Sequence, residues 1–435
     1  MLRATPERFR FDVRGPPFPP GPFPSHLRNR PLRTTWIVSA LSISLVLAQA
    51  GSMTFPALMP TLMVEWDLSE SDAGWIAGMF FAGYALAVPF LSTLGDRMDA
   101  RPVVIAAALV TGVSVFAFAF WVEDLWAAML MRFLSGIGIA GVHMPGLGLL
   151  AERLTGAARA RGSAIYAACY ALGTAGSFLI AGAVSAAFDW RAAFVVSGLA
   201  PILVVPLIAA IGPPLHPRKA PDEAKPTAML DFRPVLRNRN ALAYIVAYAG
   251  NTWEVFGVRT WFVAFVAFSV TWSGYDGAGW NAAVLSAIAA FVGVPAGIAV
   301  AELAVRRNRR VVIAATAGVS VLVALVIAVL VEAPAPLLVA LLMLHGVTSY
   351  GDAPSISSGV VEAADEGRRG ATLAVFALAG FIPGFVAPLV IGIVLEAAGG
   401  LGSPDAWRLA FVVIALGSVV SMLAMRIARP PARTE

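Results

Sequence analysis

Four ionisable side chains stand inside stretches that are otherwise apolar enough to cross a membrane: Arg132, Glu254, Arg259 and Asp352. An ionised group in hydrocarbon is costly, so such residues usually face a bundle interior or a watery cavity. Glu254 and Arg259 share one stretch, Asn251-Thr-Trp-Glu-Val-Phe-Gly-Val-Arg-Thr-Trp261. A guanidinium offers paired donors that fit carboxylate or nitrate-like oxygens. A carboxyl withdrawn from water can take up and release a proton. These chemistries mark Arg132, Arg259, Asn251, His345, Gln49 and Trp253 as candidate substrate contacts, and Glu254 and Asp352 as candidate proton carriers. Blander readings stand beside them. The four charges can pair with one another as buried ion pairs. His143 and His345 can be hydrogen-bonded interior histidines. The cluster of Trp253, Trp261, Phe256 and Phe262 can be packing and interface anchoring.

The rest of the chain must position these groups across a bilayer. Hydrophobic residues make up 59% of it and charged residues 13%, with a mean hydropathy of +0.79, which places it among polytopic membrane proteins. The single cysteine, Cys169, excludes an internal disulfide and reads as packing. The net charge of +5 points to no nucleic acid, because the basic residues lie in loops between apolar runs. Twelve such runs follow Thr35, near 35–62, 72–94, 103–122, 125–150, 162–187, 191–211, 241–270, 279–303, 311–331, 336–361, 370–397 and 407–427. Each can cross about 30 Å of hydrocarbon; they are numbered below as spans 1 to 12.

The organisation this predicts is a disordered, Pro- and Arg-rich tail over 1–34, a six-span bundle over 35–211, a hydrophilic linker over 212–240, a second bundle over 241–427 and a tail over 428–435. The tail at 1–34 has no apolar core before a small-residue cleavage site, so it is not a secretory signal. Of 31 Lys and Arg, 27 fall in the tails, the linker or the loops that follow even-numbered spans. Positive residues accumulate on the cytosolic side, so both termini are expected there. The opposite loops carry Glu65, Asp67, Glu70, Asp72, Glu123, Asp124, Asp276 and Glu332.

A repeat runs through the two halves in constant order. Ala73-Gly74-Trp75 matches Ala278-Gly279-Trp280, Arg161-Gly162 matches Arg369-Gly370, and Trp190-Arg-Ala-Ala-Phe-Val-Val196 matches Trp407-Arg-Leu-Ala-Phe-Val-Val413. Parallel repeats of six spans suit a transporter whose site lies where the halves meet.

The loop after span 2, Leu94-Gly-Asp-Arg-Met-Asp-Ala-Arg101, resembles the signature loop of the major facilitator superfamily, roughly G-x-L-A-D-R-x-G-R-R. Asp99 departs from it, standing where glycine is usual. The second half carries a degraded copy, Ala301-Glu-Leu-Ala-Val-Arg-Arg-Asn-Arg-Arg310, and Arg132-Phe-Leu-Ser-Gly-Ile-Gly-Ile-Ala140 is similar to the family's span 4 stretch. The resemblance implies an all-α membrane protein with twelve transmembrane helices in two pseudo-symmetric six-helix bundles, working as a monomer. It also implies that Asp96, with Arg97 and Arg101, latches the halves at the cytosolic face, and that spans 1, 4, 7 and 10 line the central cavity. The four deep charges all fall on spans 4, 7 and 10. Helical phase puts His345, Ser349 and Asp352 on one face of span 10, and Arg132 and His143 on one face of span 4. At 1.5 Å per residue Arg132 and His345 come to roughly 10 and 13 Å from the external ends, near the level of Arg259.

The function expected is a secondary transporter of a small anion by alternating access, coupled to protons through Glu254 and Asp352, in a bacterial cytoplasmic membrane. The run on span 7 and Met144-Pro-Gly146 on span 4 are similar to cyanate- and nitrate-type permeases. Efflux of hydrophobic or cationic compounds through Glu254 and Asp352 is the alternative, and a transporter-like sensor a further one. No metal-ligand cluster or phosphate loop marks an enzyme or a cofactor.

Overall fold

The computed structural model describes residues 30–122, 124–212, 232–276, 280–365 and 368–427, without the side chains of 30–33, 92, 93, 96, 97 and 369. The greater part of the expected tails and linker, the Ala278-Gly279 repeat element, and the side chains of the latch candidates Asp96 and Arg97 therefore lie outside the described residues. Among these residues every regular element is a helix. Span 1 covers Thr34–Glu65 and span 6 Trp190–Ala210. The others are Glu70–Arg97 (span 2), Ala100–Trp121 (3), Leu125–Arg153 (4), Gly156–Ala187 (5), Arg239–Ser273 (7), Ala282–Arg306 (8), Arg309–Val329 (9), Arg369–Ala397 (11) and Pro404–Ile427 (12). A short helix, Arg233–Arg237, leads into span 7.

Eleven of these stretches are long and apolar enough to cross a bilayer. The expected tenth is divided at Asp352 into Ala335–Gly351 and Ala353–Ala363, 17 and 11 residues long. Pro354 supplies the cause. It has no N–H for the carbonyl of Tyr350, and its ring crowds that carbonyl. Span 1 is interrupted too, by a 3-10 turn at Gln49–Gly51 before the helix resumes at Thr54.

Local chemistry sets where many spans begin. Ser69 and Asp72 form a capping box at span 2, Asp124 accepts from Ala127 N–H at span 4, and Asp189 accepts from Ala192 N–H at span 6. Acids on this face thus double as N-caps, each worth about 1 kcal/mol. At the other face Asp99, Asn238 and Asn308 cap spans 3, 7 and 9.

The strongest repeat element proves to be a packing device. Trp190 and Phe194 lie one turn apart and pack with Trp66 and Phe118; Trp407 and Phe411 pack on Phe265 in the same manner. The arginines that follow each tryptophan also correspond. Arg191 reaches Glu65 at 3.4 Å and Arg408 reaches Glu332 at 3.0 Å. These pairs account for the two arginines that stand at the acidic face.

The halves meet along two seams, span 2 against span 11 and span 5 against span 8. Within the second half the backbones of spans 7 and 12 touch. A Cβ at Gly250 would lie 2.3 Å from the Gly417 carbonyl oxygen, and one at Gly417 would lie 2.4 Å from that of Gly250. This contact holds Ser418 against Glu254, one turn along span 7 from Gly250. Gly417→Ala should therefore cost about 1–3 kcal/mol through overpacking. Thermal melts of the purified protein check this, and an unchanged midpoint would show that the spans can part at no cost.

Candidate functional site

Glu254 is 1% exposed, and no arginine or lysine approaches it among the described residues. Neutral donors surround it instead. Ser320 of span 9 and Ser418 of span 12 donate one hydroxyl to each carboxylate oxygen, both very short contacts. His345 of span 10 brings Nε2 to 2.7 Å from Oε1, but off the alignment of a hydrogen bond. Ser320 also exchanges a 3.0 Å bond with Thr348. Asp352 is held in the same spirit: Asn251 donates to its Oδ1 at 2.7 Å and to the Ser349 carbonyl at 2.6 Å. Span 7 thus carries both partners, Asn251 and Glu254, of the polar residues at and above the break in span 10. The expected ion pairs of Glu254 with Arg259 or Arg132, and of Asp352 with either, do not form.

Arg132 is 3% exposed and belongs wholly to the first half. Its Nη1 donates to the Ser52 carbonyl at 3.0 Å, Nε and Nη2 have no hydrogen-bond partner, and the guanidinium lies 4.7 Å from the Phe80 ring centre. The expectation of two arginines and a histidine converging on one anion is not met. Arg132 is turned towards the interrupted turn of span 1, and His345 towards Glu254.

Arg259 differs from both. It is half-buried and lines a narrow cavity between the halves with Ser349, Tyr350, Phe262, Ser286 and, from span 5, Phe178. The cavity holds about 20 Å³ for the centre of a water-sized sphere, room for a water rather than a solute. Tyr350 accepts from Arg259 Nε at 2.9 Å. The guanidinium carbon sits 5.2 Å from the Tyr350 ring centre and 5.4 Å from that of Phe256. Among the described residues no carboxylate pairs with it. Tyr170 of span 5 and Tyr248 of span 7 lie within its electrostatic reach. Gln49, 1% exposed, lies beside Tyr170 with its amide close to the phenol. Trp253 is turned away, its indole N–H donating to the Val413 carbonyl on span 12 at 3.0 Å. It is an anchor between spans rather than a wall of the cavity.

The interior tyrosines carry no charge to mark them in the sequence. Tyr84, Tyr170, Tyr248 and Tyr350 each stand mid-span, where phenylalanine would pack as well, and a hydroxyl retained there is the signal that could have found them.

At the acidic face the halves are clasped by two carboxylates that accept from backbone N–H groups. Glu396 accepts from Ser71 at 3.1 Å and Glu70 from Leu401 at 2.9 Å. Below them Trp75 meets Phe385, Phe81 meets Phe256 and Tyr84 meets Phe381. These are the hydrogen bonds and ring contacts that cross between halves among the described residues. At the opposite face Arg101 forks onto Asp99, two residues before it, at 2.5 and 2.9 Å. Those side-chain bonds hold the Asp99 carboxyl below its usual range. Arg101 is thereby engaged locally, by the acid that replaces the usual glycine, and not across the halves.

Comparison with known proteins completes the description. A family model described as the Major Facilitator Superfamily matches residues 41–335. The chain is 29% identical over 154 residues to the niacin transporter NiaP of Acinetobacter baylyi, covering 35% of each protein. It is 31% identical over 195 residues to monocarboxylate transporter 11 of Homo sapiens, covering 42% of this chain and 40% of that one. The matched stretches thus span well under half the length of these relatives. A crystal structure of a bacterial homolog to the human lysosomal transporter Spinster superposes with a TM-score of 0.75 at 16% identity, over 92% of this chain and 99% of the other.

The clasp can be tested directly. In a Cys169→Ser background, a cysteine placed at Phe81 should react with an external, membrane-impermeant maleimide faster once Glu70 and Glu396 are both changed to alanine. Two lost bonds at about 1 kcal/mol each predict a gain of roughly tenfold or more. Unchanged labelling would assign the closure to the aromatic contacts alone.

Proposed function

The chain belongs to the Major Facilitator Superfamily, and from that premise we propose that it carries a small organic monocarboxylate with a flat apolar body, together with protons, by alternating access. The setting proposed is a bacterial cytoplasmic membrane with both termini in the cytosol. The observation that carries this reading is Arg259, a guanidinium at a cavity between the halves that no carboxylate of the described chain neutralises. A guanidinium so placed is best satisfied by an anion able to accept two donors, and a carboxylate fits that fork. The flanking rings of Phe256 and Tyr350 favour a solute whose body is flat and apolar. Relatives named for niacin, an aromatic carboxylic acid, and for monocarboxylates agree with that chemistry.

Protons enter through the second half. Glu254 and Asp352 lie within electrostatic reach of each other, and among the described residues no arginine or lysine reaches them. Two carboxylates in a dry interior repel, and a proton on either relieves the repulsion. Span 10 joins this pair to the cavity, since Tyr350 holds Arg259 while Asp352, two residues on, holds Asn251. A solute drawing on Arg259 therefore acts on the segment that carries the proton site. The efflux alternative fits less well, because both carboxylates are turned inward and an arginine stands at the cavity.

Uptake of labelled monocarboxylates into proteoliposomes tests the anion site. Arg259→Ala should lower kcat/KM by about 10- to 100-fold, the worth of hydrogen bonds to a charged group, and Arg259→Lys should recover only part of it. Full activity in the alanine variant, or transport confined to cations, would overturn the reading. The proton role has its own test. Glu254→Gln should abolish accumulation driven by an imposed pH gradient while leaving exchange between preloaded solute pools in place. Undiminished accumulation would remove Glu254 from the coupling.

A further inference from the structure

His143 is a half-buried histidine at membrane depth that the carrier outlined above does not use. It sits on span 4 and touches both helices that flank that span on the side of the other half. From span 2, Tyr84 brings its hydroxyl to 2.6 Å from Nδ1. From span 5, the Tyr170 ring lies 4.8 Å away, and Tyr166 pins the backbone by donating to the carbonyls of Val142 and His143 at 3.1 and 3.0 Å. Spans 2 and 5 are the ones that form the seams with spans 11 and 8. A side chain held between them stands beside both seams. Tyr84 itself stacks 4.0 Å from Phe381 across the seam, and Tyr170 lies within reach of Arg259.

The tautomer follows from the hydrogen-bond inventory. Tyr84 is fully buried, and Nδ1 is the one partner of its hydroxyl among the described residues. Were Nδ1 protonated, it would donate to the phenol oxygen and leave the phenol proton without an acceptor. With Tyr84 as donor the proton of this sealed phenol is satisfied, and the ring's own N–H falls on Nε2, on a residue that is only half-buried. That atom has no hydrogen-bond partner among the described residues, yet it is not among the sealed polar atoms of the interior. His143 thus presents a fixed donor one tyrosine ring away from Arg259, since Tyr170 lies against the imidazole and within electrostatic reach of the guanidinium.

We infer that His143 is a specificity-determining residue whose Nε2–H receives a hydrogen-bond acceptor on the solute remote from its carboxylate. Tyr84 is the positioning residue that fixes the tautomer. The solutes preferred are flat carboxylates bearing an acceptor such as a ring nitrogen, over the plain hydrocarbon ring of the same shape. This rests on Arg259 holding the carboxylate, and a separate outcome tests that part.

The experiment measures kcat/KM in proteoliposomes for the three pyridine monocarboxylates against benzoate. A site built around a donor rejects an analogue that cannot accept from it, so at least one pyridine acid should exceed benzoate by about tenfold or more. His143→Ala should bring that ratio to within about threefold of one. Glutamine, whose amide nitrogen can stand near the Nε2 position, should retain most of the preference; asparagine, whose amide is too short, should not. This pair carries the comparison if the alanine variant fails to insert. Tyr84→Phe, which frees the tautomer, should lower the ratio part of the way. A ratio unmoved in His143→Ala and His143→Asn overturns the inference and leaves the Arg259 reading standing. A wild-type carrier that favours benzoate overturns the inference as well, and one that moves none of these acids overturns both.

Discussion

Among the described residues the carboxylates and guanidiniums of the membrane interior do not meet, and the rest of the site depends on that separation. Glu254 and Asp352 are held by hydroxyls, an amide and an imidazole within the second half. Arg132 is closed inside the first half, and Arg259 faces the space between them. Had Arg259 folded onto Glu254, five residues before it on the same span, each charge would have satisfied the other and the cavity would have no unneutralised group. Their spacing of five residues turns the two side chains to different faces of the helix. Neutral donors then serve Glu254 well enough that the arginine is left to the pathway. A buried carboxylate deprived of such partners would be costly, so Ser320 and Ser418 are as much part of the site as the charges.

Irregular backbone at membrane depth is tolerated only where its polar groups find partners. Both interrupted spans show how this is done. In span 1 the Ser177 hydroxyl donates to the Ala50 carbonyl at 2.7 Å and accepts from Met53 N–H at 2.9 Å. Arg132 takes the Ser52 carbonyl. In span 10 the Asn251 amide takes the Ser349 carbonyl just before the break. A residue on a neighbouring helix therefore stitches each break, and Arg132 reads first as one of those stitches. Its remaining nitrogens face the ring of Phe80, where a cation is favoured by the aromatic face rather than by an anion.

Much of this was legible in the sequence. Hydropathy and the ordered repeat led to a helical membrane protein, and the costly charges drew attention to spans 4, 7 and 10. Partners were harder to read. Helical phase fixes the face a residue occupies, but not the rotation of that face relative to the next helix, so Arg132, Arg259 and His345, expected at one depth, do not share a site. Ser320 and Ser418 could not be told from the small residues that let helices approach closely. The break at Asp352 was foreshadowed by Pro354, yet Pro89, Pro145 and Pro295 lie inside helices that continue through them. A proline alone does not decide; the break persists where Asn251 and Asp352 can satisfy what it frees.

The two membrane faces are closed by different chemistry, and this bears on how the halves could rock. At the acidic face each half contributes a carboxylate to the other's backbone N–H groups, Glu70 to Leu401 and Glu396 to Ser71, above a column of aromatic contacts. Such bonds are made and lost one at a time, at modest cost in contact with water. The aromatic contacts beneath them bury apolar surface and resist opening more strongly. One of those rings, Phe256, also flanks Arg259. The contact that shuts the acidic face thus includes a ring beside Arg259, so whatever displaces Phe256 from Phe81 loosens the closure above it. Coupling of this kind needs no long pathway, because one side chain belongs to both the seam and the site.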